Sequence, residues 1–149
     1  MTLSAILVRL SRTASSPATA PGSSIRIVVV DDHGVIRRGV RSVLGTRKNI
    51  EIYEASSGYE AIEKALQLHP DLIILDVAMP TMDGLTTTKE IKKLLPTIAI
   101  IILSVHDGPG IVRAAQEAGA QGFVTKSAVA PALLKAVDAV LRGETFFAD

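Results

Sequence analysis

The chain has 149 residues, of which 48% are hydrophobic and 21% are charged, a balance typical of one globular domain and not of a disordered chain. Its formal net charge of +1 gives no electrostatic reason to expect binding to nucleic acid. The absence of cysteine excludes disulfides, zinc–thiolate sites and thiol catalysis, and no apolar run approaches the roughly 20 residues of a membrane span, so we expect a cytoplasmic protein.

The first 24 residues differ in composition from the rest of the chain. They are rich in Ser, Thr, Ala and Pro and contain no Asp or Glu, which predicts a flexible N-terminal extension, residues 1–24. A targeting peptide is the alternative, because an apolar stretch, residues 3–8, is followed by Arg9 and Arg12. Secretory signals place the positive charge before the apolar stretch, so we favour a tail or a cloning remnant before one folded domain, residues 25–149.

Short apolar runs alternate with longer segments of helical period from Ile25 onward. The runs that predict strands are residues 25–30, 50–55, 71–75, 98–103 and 122–124. Three of them are nearly continuous Ile, Val and Leu, a pattern typical of parallel strands that are covered on both faces.

Amphipathic segments between these runs predict helices. The apolar residues that share a helical face are Ile36, Val40, Val43 and Leu44 in the first segment, Ile62, Ala65 and Leu66 in the second, and Leu133, Val137, Val140 and Leu141 in the last. Pro70, Pro96 and Gly119 stand where helices should end. Five strand–helix units predict an α/β fold, a flavodoxin-like (βα)5 doubly wound parallel sheet with strand order 2-1-3-4-5.

Polar residues follow four of the predicted strands. The first run ends in Asp31 and Asp32, the third in Asp76 and the fourth in Ser104, and Lys126 comes shortly after the fifth. In an open parallel sheet the site lies beyond the carboxyl ends of the strands, where the strand order reverses. We therefore expect three carboxylates, one hydroxyl and one ammonium in a single pocket.

These residue types together indicate phosphoryl chemistry assisted by a divalent cation. Carboxylates held close together repel one another, and an ion with oxygen ligands, Mg²⁺ or Mn²⁺, would relieve that repulsion. One carboxylate can act as the nucleophile and form an aspartyl phosphate. Lys126 and the hydroxyl of Ser104 would then contact the phosphoryl oxygens.

Each of these residues also has a simpler interpretation. Asp32 could cap the helix that begins near His33, with or without supporting a metal ion. Ser104 could be a turn residue, and Lys126 a solvated surface charge. The convergence of four polar strand ends of complementary charge favours a site.

The motifs around these residues resemble the receiver domains of response regulators, of the NarL/FixJ type. The match extends over about residues 25–147. Its marks are residues 30–33, 75–80, 82–84, 103–104 and 123–126, and residues 37–39, 119–123 and 141–144 are typical of the subfamily. The resemblance implies that Asp76 is the phosphoacceptor. It also implies that Asp31, Asp32, Asp76 and the backbone carbonyl of Ala78 bind Mg²⁺.

The remaining roles also come from the resemblance. Ser104 matches the switch hydroxyl that moves towards the phosphoryl group, and Lys126 matches the lysine that contacts it. Phe123 matches the switch aromatic residue, whose side chain turns inward when the hydroxyl moves. It replaces the commoner tyrosine, so that inward turn can gain packing but no hydroxyl hydrogen bond. Ser127 stands where the family usually has proline.

The resemblance implies a sensor histidine kinase as the phosphodonor and a phosphoacceptor signalling domain that promotes its own phosphotransfer, rather than an enzyme. Such regulators usually continue into a LuxR-type helix-turn-helix that binds DNA and controls transcription. None follows within these residues, so we expect an excised receiver, with a stand-alone or phosphate-independent interaction receiver as the alternative. Subfamily members often pair through the first and fifth helices as a homodimer; packing against the sheet is nevertheless the favoured interpretation of the apolar candidates Val40, Val43, Val137 and Leu141.

Two other functions suit the predicted fold less well. A phosphatase of the haloacid dehalogenase class would have Asp-x-Asp after the first strand, but the third position here is His33. A flavodoxin would need a hydroxyl-rich phosphate loop at the same place, where Asp31 and Asp32 would repel phosphate.

Overall fold

Six parallel strands form a single sheet in the computed structural model, which describes residues 24–147. In chain order the strands are β1 (Ile25–Val30), β2 (Ile50–Ala55), β3 (Leu72–Asp76), β4 (Ala99–Ser104), β5 (Gly122–Thr125) and β6 (Phe146–Phe147). The helices are α1 (Gly34–Leu44), α2 (Gly58–Leu68), α3 (Gly84–Leu94), α4 (Pro109–Ala118) and α5 (Val129–Leu141), the last preceded by a 3-10 turn, Lys126–Ala128. The extension predicted for residues 1–24 lies outside the described residues except for Ser24.

The sheet has the strand order 2-1-3-4-5-6, and every neighbouring pair is parallel. The flavodoxin-like prediction is therefore confirmed, with one correction. The sequence analysis missed β6, which adds Phe146 and Phe147 beside Gly122 and Phe123 of β5. Two residues are too few to produce a periodic pattern that could be recognised in the sequence.

The apolar strands pack helices on both faces of the sheet because successive side chains of a strand point in opposite directions. Val28 and Val30 of β1 belong to a core with α2, α3 and α4. Ile27 and Val29 of the same strand belong to a second core with α1 and α5. Each of these four side chains is at most 1% exposed, as expected for a central strand of a doubly wound sheet.

The helical faces follow the predicted pattern with one exception. Leu66 is 43% exposed, whereas the neighbouring Ala65 is 1% exposed. Consecutive residues of a helix are about 100° apart, so Leu66 is turned away from the sheet and its assignment to the buried face was wrong. The homodimer candidates Val40 and Val137 are each 1% exposed, in agreement with packing against the sheet.

The signals for the ends of helices are confirmed. The helices α2 and α3 end at Leu68 and Leu94, each shortly before a proline, and Gly119 follows α4 with φ 109°. This left-handed conformation after a helix favours glycine. None of the helices in residues 24–147 is long and apolar enough to cross a membrane.

Candidate functional site

An acidic cluster lies where the chain leaves β1 and β3, beside the point at which the strand order reverses. Asp31 and Asp32 directly follow β1, and Asp76 is the last residue of β3. Together with His33 they offer one ligand atom each, and these atoms all lie within 4.8 Å of one another. The prediction that these strand ends bring the three carboxylates together is therefore correct.

Lys126 completes the cluster from the end of β5. It is the first residue after β5, and its Nζ lies 2.9 Å from Oδ2 of Asp31 and 2.9 Å from Oδ1 of Asp76. The three side chains are nearly buried, with 13% of Lys126, 1% of Asp31 and 2% of Asp76 exposed. One ammonium therefore bridges a carboxylate that follows β1 and a carboxylate at the end of β3.

The electrostatics of the cluster leave an excess of negative charge. Burial of Asp76 raises the pKa of its carboxyl group, and the hydrogen bond from Lys126 opposes this effect only in part. Burial works against the charge on Lys126, but hydrogen bonds to Asp76 and Asp31 outweigh it, so the pKa of the ammonium is raised. Lys126 thus remains a cation, although one ammonium cannot neutralise three carboxylates.

Two carboxylate oxygens of the cluster have no hydrogen-bond partner among the described residues. They are Oδ1 of Asp32 and Oδ2 of Asp76, both buried. A buried oxygen of this kind is costly unless something binds it. An all-oxygen donor set with excess negative charge suits a hard divalent cation such as Mg²⁺, so the residues present fit the metal that the sequence predicts.

Ser104 and Ala78 also lie at the carboxyl ends of the strands, at the end of β4 and just after β3. Ser104 is the last residue of β4, is 4% exposed, and accepts a 3.1 Å hydrogen bond at Oγ from the backbone N–H of His106. The backbone N–H of Ala78 lies 3.4 Å from Oδ1 of Asp76 and donates to it. Among residues 24–147, no hydrogen bond joins the Ser104 hydroxyl to Asp76 or Lys126, so its role as a switch remains a prediction.

Phe123 lies in the core, below the carboxyl ends of the strands. Its position in β5 pairs with Ile102 of β4, and its side chain is 2% exposed. The ring is therefore directed inward, and the predicted turn of this side chain stays a prediction. The peptide bond between Lys126 and Ser127 is trans, like the others in the described residues.

The interpretation of Asp32 as a helix cap is wrong. His33 occupies the N-cap position of α1, and no side chain makes a capping hydrogen bond there. Asp31 instead accepts a 2.9 Å hydrogen bond at Oδ1 from the backbone N–H of His33. The carboxylate of Asp32 thus belongs to the acidic cluster and does not cap α1.

The sequence analysis did not identify a pair of residues that supports the cluster from outside. Arg37 of α1 donates from Nη1 to the backbone carbonyl of Asp31 at 2.7 Å and from Nε to Oε1 of Glu54 at 2.9 Å. Glu54 also lies 3.4 Å from Nη1 of Arg41. The sequence shows only an arginine in the first turn of α1 and a glutamate near the end of β2. Such residues are common at these positions, so their contact could not be predicted from the sequence.

Gly84 brings the first turn of α3 against the end of β3. Its backbone N–H donates a 2.8 Å hydrogen bond to the carbonyl of Val77. A Cβ atom at this position would overlap the carbonyl oxygen of Asp76 and lie 2.8 Å from Cα of Val77. The absence of a side chain here is therefore a condition for the observed position of Asp76.

Comparisons with known proteins agree with this geometry. The family model of the response regulator receiver domain matches residues 27–138. The chain is 40% identical over 125 residues to the response regulator protein VraR of Staphylococcus aureus, an alignment that covers 83% of this chain and 60% of VraR. The chain thus spans about 60% of the length of the curated relatives it matches.

Solved structures give the same result. A LuxR-family two-component response regulator from Aurantimonas sp. SI85-9A1 has a TM-score of 0.79 and 33% identity, covering 83% of this chain and 89% of that one. The signal receiver domain of the putative response regulator NarL from Mycobacterium tuberculosis has a TM-score of 0.76 and 35% identity, covering 82% and 99%. Both similarities extend over nearly the whole described part of the chain.

Proposed function

The chain belongs to the response regulator receiver domain family, a family of two-component signalling, and from this premise we propose that it is a phosphorylation switch that accepts a phosphoryl group on Asp76. The observation that carries the proposal is the environment of the Asp76 carboxylate. It is buried at a strand end, its Oδ1 lies 2.9 Å from Nζ of Lys126, and its Oδ2 has no hydrogen-bond partner in the part of the chain that the structure describes.

The proposed transfer uses Asp76 as the nucleophile. A carboxylate oxygen forms a bond to phosphorus while the bond between phosphorus and the donor nitrogen of a phosphohistidine breaks, and the imidazole leaves with the bonding electron pair. Nζ of Lys126 lies 2.9 Å from Oδ1 of Asp76, close enough to balance charge on the phosphoryl oxygens. Ser104, at the end of the neighbouring strand, is the proposed hydroxyl donor to one of those oxygens.

Mg²⁺ is the proposed cofactor, and Asp31, Asp32, Asp76 and the backbone carbonyl of Ala78 are its proposed ligands. When bound, the ion supplies positive charge that neutralises the cluster and draws a phosphoryl oxygen towards Asp76. The support is the donor set, in which two buried carboxylate oxygens receive no hydrogen bond from any of residues 24–147. The protein residues themselves orient the nucleophile and exclude water from it.

The partners and output follow from the family and are proposals. A sensor histidine kinase would be the phosphodonor, and Phe123 would couple movement of Ser104 to the core. We propose a cytoplasmic domain that signals but does not turn over a separate substrate. Because VraR is longer than this chain and a structural relative is of the LuxR family, transcription control through a DNA-binding helix-turn-helix outside this chain is the proposed output.

The direct test is intact-mass spectrometry after incubation with acetyl phosphate and Mg²⁺. We expect the wild type to gain the mass of one phosphoryl group, and only when Mg²⁺ is present. The Asp76→Asn variant should show no such gain. Asp107→Asn is a matched control, because Asp107 is an exposed aspartate in the loop after β4, and it should still be phosphorylated. A folded wild type that gains no mass from either acetyl phosphate or a phosphorylated kinase would support a phosphate-independent interaction domain instead.

A further inference from the structure

The imidazole of His33 lies directly against the proposed cation site. Its Nδ1 is 3.2 Å from Oδ1 of Asp31 and 3.1 Å from Oδ1 of Asp32. The side chain is 66% exposed, so the ring stands at the open rim of a cluster whose other members are largely buried. The backbone N–H of His33 donates a 2.9 Å hydrogen bond to Oδ1 of Asp31, which holds the backbone of His33 beside the cluster.

We propose that His33 supplies a nitrogen ligand to this site, so that the site binds a borderline transition-metal ion such as Mn²⁺, Co²⁺ or Zn²⁺ more tightly than Mg²⁺. The proposal deepens the proposed function, since it rests on the same cation site. It concerns which ion the site prefers and does not require that phosphorylation occurs.

The distances suit two donors on one ion. Ligand atoms about 2.1 Å from a metal ion, at angles between a right angle and a tetrahedral angle, are about 3.0 to 3.4 Å apart. Nδ1 of His33 lies 3.1 and 3.2 Å from the two carboxylate oxygens. An ion placed between these three atoms would therefore need little rearrangement of the side chains.

Nδ1 of His33 is within hydrogen-bond distance of Oδ1 of Asp31, at 3.2 Å, but two other carboxylate oxygens of the cluster have no hydrogen-bond partner among the described residues. Although Nδ1 of His33 is 3.1 Å from Oδ1 of Asp32, that oxygen has no hydrogen-bond partner among the described residues. Oδ2 of Asp76, in a side chain only 2% exposed, has none either. Within residues 24–147, two carboxylate oxygens therefore remain without a donor, in a cluster whose four residues each offer a ligand atom within 4.8 Å of the others.

The chemistry of the donors then sets the preference. Mg²⁺ favours oxygen ligands, whereas imidazole nitrogen suits the transition metals, whose affinities for such sites rise from Mn²⁺ towards Cu²⁺. The neutral ring protonated on Nε2 leaves a lone pair on Nδ1. Because the ring is exposed, it can also turn aside, so that Mg²⁺ would be held by the oxygen ligands alone.

The test uses the metal-free full chain and Mn²⁺ as the probe. Electron paramagnetic resonance titration gives the Mn²⁺ affinity, and pulsed measurement of nitrogen coupling shows whether an imidazole is bound directly. In the wild type we expect nitrogen coupling and tighter binding of Mn²⁺ than of Mg²⁺. In His33→Ala we expect the coupling to vanish and the Mn²⁺ affinity to fall at least about tenfold, the loss that follows removal of even an outer-sphere partner, while the Mg²⁺ affinity changes far less.

His106→Ala is the matched control, since His106 is an exposed histidine in the loop after β4, and it should behave as the wild type. Bound Mn²⁺ without nitrogen coupling in the wild type, or equal Mn²⁺ affinities of the wild type and His33→Ala, would overturn the inference. Mg²⁺-dependent phosphorylation of Asp76 alongside either result would leave the proposed function intact. Failure of any divalent ion to bind the wild type would overturn both the inference and the proposed cofactor.

Discussion

Arg37 holds the backbone of Asp31 in place, since its Nη1 donates a 2.7 Å hydrogen bond to the carbonyl oxygen of that residue. The same guanidinium donates to Glu54 at 2.9 Å, so α1, β2 and the loop after β1 are joined by one planar group. A planar fork of this kind is less easily replaced by lysine or by water than a point charge. The orientation of the acidic pair thus depends on a residue outside the cluster.

Replacing Arg37 with Met tests this dependence while keeping much of the side-chain bulk. We expect the free energy of unfolding to fall by about 1.5 to 3 kcal/mol, the range for hydrogen bonds that involve a charged group. The Mg²⁺ affinity should fall about tenfold, because the support of a ligand is lost. Urea denaturation and calorimetric titration measure the two effects. Arg38→Met, at an exposed position, is the control, and equal losses in both variants would contradict the argument.

Gly84→Ala should displace the end of β3. The added methyl group would overlap the carbonyl oxygen of Asp76, and such overpacking typically costs about 1 to 3 kcal/mol. Thermal unfolding measures the loss, and a Mg²⁺ titration should show weaker binding. Gly39→Ala, inside α1, is the matched control. Of the residues that the structure describes, none beyond its own turn of helix lies within 4 Å of a Cβ added there, and the change should stabilise the helix by about 0.5 to 1 kcal/mol. A Gly84→Ala variant as stable as the wild type would contradict this account.

Asp76→Asn should change how stability depends on pH in the presence of a chelator. Because burial raises the pKa of Asp76, the folded protein holds this proton to higher pH than the unfolded chain does. The wild type therefore loses stability, relative to Asp76→Asn, as the pH rises above about 4, and the loss is complete above the folded-state pKa. Denaturant unfolding at several pH values measures the difference. It should shrink when Mg²⁺ is added, and a difference independent of pH would contradict the prediction.

Asp138→Asn should have the opposite dependence on pH. The hydrogen bond from Arg47 lowers the pKa of Asp138, and Nη1 of Arg47 lies 2.9 Å from Oδ1 of Asp138 in a pair that ties the loop after α1 to α5. The pair stabilises the fold at pH values above the unfolded pKa of about 4 and stops doing so as the pH falls through the lower folded-state pKa.

Both side chains of this pair are about 40% exposed, so the expected loss at neutral pH is only about 0.2 to 1 kcal/mol. Comparison of the wild type with Asp138→Asn by urea denaturation at neutral and acid pH measures it. Salt near 1 M should reduce the difference by screening. A loss that is as large in acid as at neutral pH would show that the pair acts through packing and not through charge.

The sequence predicted the sheet and the carboxylate cluster because both depend on local patterns. Nearly continuous Ile, Val and Leu predict buried parallel strands, and the strand ends are then placed by topology alone. Asp31, Asp76 and Lys126 each lie within one or two residues of a strand end. Their meeting therefore required no knowledge of side-chain packing.

The supporting contacts could not be predicted in the same way. The Arg37–Glu54 contact joins residues 17 positions apart, and its existence depends on how α1 lies against β2. The cap of α1 depended on a competition between Asp32 and His33 that backbone geometry decides. Leu66 is exposed because of how α2 is turned about its own axis relative to the sheet. Three apolar residues in a short helix were too few to predict that orientation.

The short strand β6 gives the sheet an asymmetric outline. Phe146 and Phe147 pair with Gly122 and Phe123 of β5, so they occupy backbone groups that would otherwise lie open beside a buried, apolar strand. An open edge of that kind is a template for pairing with another chain. The opposite edge is β2, which carries Glu51 and Glu54, and charged side chains on an edge discourage such pairing. The domain thus limits edge-to-edge pairing by an edge strand of only two residues on one side and by charged side chains on the other.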